Sequence, residues 1–240
     1  MTMLLGTWRS LFGGRETYID KVLGYGPIAY WPLDEGSGTV AHCLVDPAQN
    51  GTYARDVSVM GTQEGIGDGN TAPTFDGAND RVLLTTAALT AAFNGDTGTL
   101  VGWYRVSGAG IWTDGNAHVG CYFRDGAYTN LVNWRKDIAN NRLFMDYRAG
   151  GVAESATLNG RSFTTWVHMA ITWDKPADAV SYYENGAWLE TDNTLGVWAG
   201  ITVAYLGADN LANKWSGSLA QFALFDYAMT VGSVAELASV

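Results

Sequence analysis

Cysteine is nearly absent from this chain: Cys43 and Cys121 are the only two in 240 residues. Two thiols make no disulfide scaffold, and without a CxxC pair there is no zinc spacing. Both read as buried small hydrophobes, with a single bridge between them left open. Positive charge is scarce as well. Lys and Arg number 14 against 24 Asp and Glu, a formal net charge of -10. Such a chain repels phosphate backbones, which argues against general nucleic-acid binding. The acidity reads first as solubility, with divalent-cation binding in acidic loops as the sharper alternative. No apolar run approaches the roughly 18 residues needed to span a bilayer. Met3, Leu4 and Leu5 are apolar, but Gly6, Thr7, Trp8, Arg9 and Ser10 interrupt them. No h-region of ~7–15 residues forms, so the expectation is cytosolic synthesis without a standard export signal. Catalytic motifs are missing too. His42, His118 and His168 fall in no HExxH spacing, and no GxSxG elbow, P-loop or strand-linked GxGxxG occurs.

What is present is a β-forming sequence rich in turns. Hydrophobic residues make up 47% and aromatics 12%, with 30 Gly against 5 Pro. The chain can therefore bury a sizeable core as a single β domain. The stretch Thr164–Thr191 organises it. Val167, Met169, Ile171 and Trp173 fall on one strand face, and Trp166, His168, Ala170 and Thr172 on the other. A polar turn over residues 174–179 precedes a second strand, and Asn185-Gly186 predicts a two-residue hairpin. Large apolar groups on both faces predict a central position in a two-layer structure. His168, between Trp166 and Ala170, reads as a hydrogen-bonded packing histidine.

Further strands are predicted at residues 29–33, 81–85, 98–106, 121–123, 131–134, 143–148, 153–158, 202–206 and 217–225, with residues 61–70 as a Gly-rich surface loop. Short helical segments are predicted at residues 89–93 and 231–238. Asn-Gly pairs begin at Asn50, Asn94, Asn159 and Asn185, and Asp-Gly pairs at Asp68, Asp76, Asp114 and Asp125. This turn chemistry points to an all-β sandwich or jelly roll. Residues 1–25 differ. Leu4, Leu5, Trp8, Leu11 and Phe12 recur at helical spacing, followed by a second helical pattern over residues 16–23. They read as an N-terminal docking or oligomerisation arm on a domain spanning residues 26–240, with a homo-oligomer or larger assembly as the expected partner state.

Six segments then carry a resemblance. AYWPLDEGSG at residues 29–38, TFDGANDRVLL at 74–84, GTLVGWYRV at 98–106, WVHMAITWD at 166–174, VSYYENGAW at 180–188 and GSLAQFALFDYAMT at 217–230 stand in order. Together they resemble the laminin G-like, concanavalin A-like (pentraxin-related) jelly-roll family over roughly residues 27–238. The resemblance implies two antiparallel sheets packed face to face. It also implies binding at one rim or on the concave face, often with calcium. Relatives include surface and decoration modules of bacteriophage particles, so it further implies a non-enzymatic structural or attachment role on a virion or extracellular surface. A carbohydrate-binding, lectin-like domain is the alternative. Related β-glucanases carry Glu-x-Asp-x-x-Glu along one strand; no such segment occurs here, and the seven glutamates are scattered.

Two sets of site residues are expected. Asp76, Asn79 and Asp80 are the best local calcium candidates, with Asp46/Asn50 and Asp209/Asn210 as others, unless these residues form Asx-turns. Trp112, Trp134, Trp198 and Trp215 lie in or near loop-rich stretches and are the candidates for stacking on sugars, unless they pack in the core.

Overall fold

The computed structural model describes residues 16–54, 61, 63–198, 200–209 and 213–240. A short helix, α1 (Tyr18–Gly24), opens behind a capping box. Thr17 Oγ1 accepts the Asp20 amide at 3.1 Å and Asp20 Oδ2 accepts the Thr17 amide at 3.2 Å. This satisfies donors that a helix start otherwise leaves bare. Seven short strands follow: β1 (Ala29–Trp31), β2 (Val40–Ala41), β3 (Gly51–Ala54), β4 (Gln63–Glu64), β5 (Thr71–Ala72), β6 (Thr74–Asp76) and β7 (Arg81–Leu83). Helix α2 (Ala87–Ala92) leads to longer strands: β8 (Thr97–Val106), β9 (His118–Arg124), β10 (Leu131–Lys136), β11 (Arg142–Ala149), β12 (Val152–Asn159) and β13 (Val167–Asp174). The chain closes with β14 (Ala179–Glu184), β15 (Ala187–Asn193), β16 (Val203–Leu206), β17 (Ser216–Phe225) and α3 (Val231–Leu237).

Two antiparallel sheets form a sandwich. Sheet A runs β1-β17-β8-β13-β14-β15, with β6 also paired to β17; sheet B runs β12-β11-β10-β9-β16-β7-β3-β2. The central position read for the Thr164–Thr191 stretch holds for β13, which lies between β8 and β14. Its inward residues Val167, Met169, Ile171 and Trp173 join Leu100 and Phe222 of sheet A and Trp134 and Met145 of sheet B in one core. Each such large side chain contributes about 1.5–3 kcal/mol by leaving water. The approach is close: a Cβ on Gly98 would lie 2.1 Å from the Trp173 ring, so only glycine fits there. Asn185 and Gly186 take φ of +50° and +76°, the two positive values a type I′ turn requires.

The outward residues of sheet A form a second apolar cluster. Tyr30, Val101, Trp103, Ala170, Ala223 and Phe225 lie under Tyr18 and Val22 of α1 and Val234 and Leu237 of α3. Trp103 Nε1 donates to Tyr18 Oη at 2.8 Å, and Tyr18 Oη donates to the Leu237 carbonyl at 2.7 Å. The two ends of the described chain thus clasp one face of sheet A. His168 is buried there, edge-on to Trp103 with ring centroids 5.1 Å apart.

Three expectations change, and one open question closes. Residues 16–25 belong to the domain rather than to a separate arm, because α1 completes the cover of sheet A. The Gly-rich stretch 61–70 carries β4, which pairs with β5 just after it, and buries Ile66 instead of lying wholly on the surface. The His168 ring nitrogens have no hydrogen-bond partner among the described residues; the ring packs, and the backbone makes the bonds, its amide donating to Asn185 Oδ1 at 3.0 Å and its carbonyl accepting the Asn185 amide at 2.8 Å. Cys43 and Cys121 are both buried and unpaired, so the bridge left open by sequence is not formed. Leu4, Leu5, Trp8, Leu11 and Phe12 lie outside the described residues. No helix among the described residues is long and apolar enough to cross a membrane.

Candidate functional site

The outer face of sheet B differs from that of sheet A. Its small apolar cluster, Val119, Tyr122 and Leu131 with Val203 and Tyr205, includes no helical residue. Alternation decides what points outward. Cys121 and Phe123, Leu143 and Met145, and Ala204 and Leu206 face the core, so the residues between them face away. Strand register then aligns the outward residues in rows. The central row runs Tyr205, Tyr122, Asn133, Asp146, Ser155 across five strands. Beside it runs Val203, Arg124, Leu131, Arg148, Ala153. On the other side Arg135 opposes Phe144, which opposes Thr157. At about 4.8 Å between strands the central row spans about 19 Å.

Arginines and rings interleave on this face. The Arg124 guanidinium lies 3.9 Å from the Tyr128 ring centroid and 5.6 Å from that of Tyr122. Arg135 and Arg142 each lie 4.9 Å from the Phe144 ring centroid, and Arg81 lies 5.9 Å from that of Tyr205. Such contacts fix the arginines, and protein groups take up many of their N–H donors: Arg124 bonds the Asp125 and Gly126 carbonyls, Arg135 pairs with Asp146 and Arg142 with Asp137. Tyr128 is 44% exposed, on the turn between β9 and β10. That turn is built by Asp125, whose carboxylate accepts the Thr129 amide at 3.0 Å and Asn130 Nδ2 at 2.8 Å. Burial opposes its charge, but these bonds outweigh burial and hold its pKa below the usual value.

A hollow of about 250 Å³ sits at the far end of the rows, lined by Leu131, Arg135, Asp146, Arg148, Ala153 and Ser155 among others. Arg135 pairs with Asp146. Between them and Tyr122, Asn133 is 3% exposed and its Oδ1 has no protein hydrogen-bond partner among the described residues. The arrangement offers ring faces, amide and hydroxyl groups, and charged hydrogen-bond donors. It is suited to a polyhydroxylated ligand laid along the strands. Its acidic groups are of two kinds. Asp146 is tied to Arg135, and at the edge Asp137 is paired with Arg142, whose hydrogen bonds outweigh burial and lower the Asp137 pKa. Glu154, which also lines the hollow, has the opposite shift, its pKa raised by burial and by Asp192 and Asp178 nearby.

The four tryptophans chosen from sequence are core residues. Trp112, Trp134 and Trp215 are fully buried and Trp198 is 6% exposed. Trp112 Nε1 donates to the Phe163 carbonyl at 2.8 Å, Trp134 stacks on Phe222, Trp198 stacks on Trp173, and Trp215 meets Tyr104 edge-on. None presents a ring face to solvent, which corrects the sugar-stacking expectation. Loop-adjacent position said nothing about which way the rings turn. The residues sequence reasoning missed are Tyr122, Tyr128, Phe144 and Tyr205; for all but Tyr128, the strand alternation was the available signal.

Asp76, Asn79 and Asp80 are brought together, but as a self-capped turn. Asp76 Oδ1 accepts the amides of Ala78 at 2.7 Å and Asn79 at 3.2 Å, and Asp80 Oδ2 accepts the Asp76 amide at 3.0 Å. The amide of Ala78, first among these, holds the Asp76 pKa low. Calcium takes 6–8 oxygens. Two carboxylates committed to their own loop and one side-chain amide do not fit it. Among the described residues no group of three or more His, Cys, Asp or Glu side chains could hold a metal ion. Asp46 accepts the Ala48 amide in the same manner, and Asn210 lies outside the described residues.

Residues 76–235 match the family described as the concanavalin A-like lectin/glucanases superfamily. The chain belongs to this family. Solved structures agree on the fold. The botulinum neurotoxin serotype D binding domain superposes with a TM-score of 0.65 at 10% identity, covering 88% of this chain and 51% of that one. The chain thus spans about half the length of that binding domain. Domain 4 of AbnA, a GH43 extracellular arabinanase from Geobacillus stearothermophilus, in complex with arabinotriose, gives 0.63 at 15% identity over 89% of this chain and 98% of the domain. The Ruminococcus gnavus IT-sialidase CBM40 bound to alpha2,3 sialyllactose gives 0.57 at 12% identity over 70% and 96%. No curated protein sequence matches.

Proposed function

We propose that the chain is a non-catalytic carbohydrate-binding module that holds a glycan across the outer face of sheet B. The observation that carries this reading is the aligned row Tyr205, Tyr122, Asn133, Asp146, Ser155, flanked by Tyr128 and Phe144. The rings supply apolar faces for sugar C–H groups, and the row's amide, carboxylate and hydroxyl groups supply partners for sugar hydroxyls. Two fold neighbours, the CBM40 and the arabinanase domain, are solved with oligosaccharides, which supports the same class of ligand. The test is binding of a panel of neutral oligosaccharides to the wild type and to Tyr128→Ala, Tyr205→Ala and Phe144→Ala. At least one oligosaccharide should bind, and each truncation should weaken it about tenfold, ~1.4 kcal/mol. Binding unchanged in all three variants would place the glycan elsewhere.

A finer reading, an attachment module on a phage-type virion surface, has sequence support only: the helical spacing of Leu4, Leu5, Trp8, Leu11 and Phe12. It is compatible with glycan binding, since an attachment module can grip a surface sugar. Light scattering of the full chain and of a chain starting at Glu16 tests self-assembly through this segment. An oligomer that becomes a monomer on truncation supports it, and equal masses remove it.

A further inference from the structure

A second polar cleft lies on the opposite side of the sandwich. It has a volume of about 400 Å³ and is lined by Gln63, Thr74, Arg105, Ser107, Thr164 and Ser218, with Val106 and Gly217. No helical residue lines it. The register explains the cluster. Thr74 opposes Ser218 and Ser218 opposes Arg105, so side chains of β6, β17 and β8 stand in one row on the outer face of sheet A. This row is one pleat beyond Trp103, where the helical cover rests. The β4–β5 ribbon supplies Gln63 as a wall, and Thr164 supplies the opposite rim.

The chemistry of the lining is one-sided. Among the described residues, four hydroxyls and one amide surround a single cation, and no carboxylate lines the space. The Arg105 guanidinium lies 5.0 Å from the Trp166 ring centroid, and its Nη2 sits 3.4 Å from Gln63 Oε1. Among the described residues it has no ion-pair partner. With only the long contact to Gln63 Oε1 on Nη2, the guanidinium retains N–H donors, and its planar fork matches a carboxylate in bidentate fashion. One cation neutralises one negative charge, which fits a carboxylate better than a phosphate dianion. The surrounding hydroxyls at Thr74, Ser107, Thr164 and Ser218 can both donate to and accept from ligand hydroxyls. The volume lies within the range of small-molecule sites.

We propose that this cleft is a second binding site, separate from the face of sheet B, for a small hydroxylated carboxylate of the uronic-acid type, with Arg105 as the carboxylate anchor. The core of the sandwich separates the two sites, so one ligand cannot touch both.

The experiment is a calorimetric titration of the full chain with glucuronate and galacturonate. Glucose and galactose serve as neutral controls, and inorganic phosphate serves as the alternative anion. A uronate should bind saturably, with the neutral sugars and phosphate at least tenfold weaker. Arg105→Gln should lose at least tenfold. Thr164→Glu, at an exposed rim position, should lose a similar factor by adding a like charge without touching the core, so it decides the matter even if Arg105→Gln folds poorly. Tyr205→Ala, on the other sheet, should bind the uronate as the wild type does. The proposal is overturned by no saturable uronate binding, by phosphate binding as tightly as uronate, or by affinity unchanged in Thr164→Glu. Loss in Tyr205→Ala with retention in Arg105→Gln would overturn it too, by moving the anion to sheet B.

Discussion

The outer faces of the two sheets are built from the same strand alternation and end in opposite states. On sheet A the outward residues are Tyr30, Val101, Trp103, Ala170, Ala223 and Phe225, and both ends of the described chain fold over them as α1 and α3. On sheet B the central outward row is Tyr205, Tyr122, Asn133, Asp146 and Ser155, and among the described residues no helix joins its cluster. Apolar outward positions must be covered, and the covering is stability. On sheet B the row is mixed: Tyr122 and Asn133 are buried among their neighbours, while Tyr205, Asp146 and Ser155 keep some exposure and can meet a ligand. The part of sheet A around Arg105, which resembles sheet B in chemistry, is where the helical cover stops; the row Thr99, Thr172, Ser181 and Thr191 is a second polar stretch on the same face.

The sharpest contrast should come from removing the cover. A chain starting at Gly26 loses Tyr18 and Val22 from the sheet A cluster. It should fall by about 3–6 kcal/mol in unfolding free energy, the worth of two large buried side chains. A chain starting at Glu16 should keep its stability, since α1 and its capping box remain. Denaturant midpoints of the two chains read this directly. Equal midpoints would show that α1 is not part of the domain.

Next in size is a pH effect confined to sheet A. His168 is fully buried, and burial pushes its pKa down from 6.5 to about 3. Below pH ~6.5 the unfolded chain takes up a proton at this residue while the folded chain does not. Stability is therefore present near neutral pH and falls by about 1.4 kcal/mol per pH unit down to the folded pKa. His168→Leu should flatten that slope when urea midpoints are compared near neutral pH and at about pH 4. Parallel losses in variant and wild type would assign the acid sensitivity to other groups.

The smallest stability effects belong to sheet B. Tyr205→Ala and Tyr128→Ala should cost less than about 1 kcal/mol, because neither ring is fully buried. They should still cost the tenfold in glycan affinity stated above. A large stability loss from Tyr128→Ala would make its ring structural and weaken the contrast between the faces.

Much of the fold was legible in the sequence. The alternation from Val167 to Trp173 placed a central strand, and Asn185-Gly186 placed a hairpin with the required positive φ values. The other Asn-Gly and Asp-Gly pairs were less faithful. Asn50 ends a short 3-10 turn at Pro47–Gln49 and Gly51 begins β3, so that pair closes the long β2–β3 connection instead of making a two-residue turn. The site was far less legible. Alternation shows that Tyr122, Phe144 and Tyr205 face away from the core. It does not show that Tyr205 aligns with Tyr122 and Asn133, because that register comes from strands distant in sequence. Nor does it distinguish an open outward face from a covered one: Trp103 and Tyr205 look alike in the sequence, and only the packing of α1 and α3 separates them. Trp112 and Trp215 were misread for the converse reason, since their flanking Gly and Asp residues suggested loops while their rings turn into the core.

Amide chemical-shift mapping with a neutral oligosaccharide that binds the full chain would discriminate best between these faces. Perturbations are expected along residues 119–124, 131–135, 144–148 and 203–205, with sheet A silent. Perturbations centred on sheet A, with those four segments unmoved, would contradict the assignment of the glycan face.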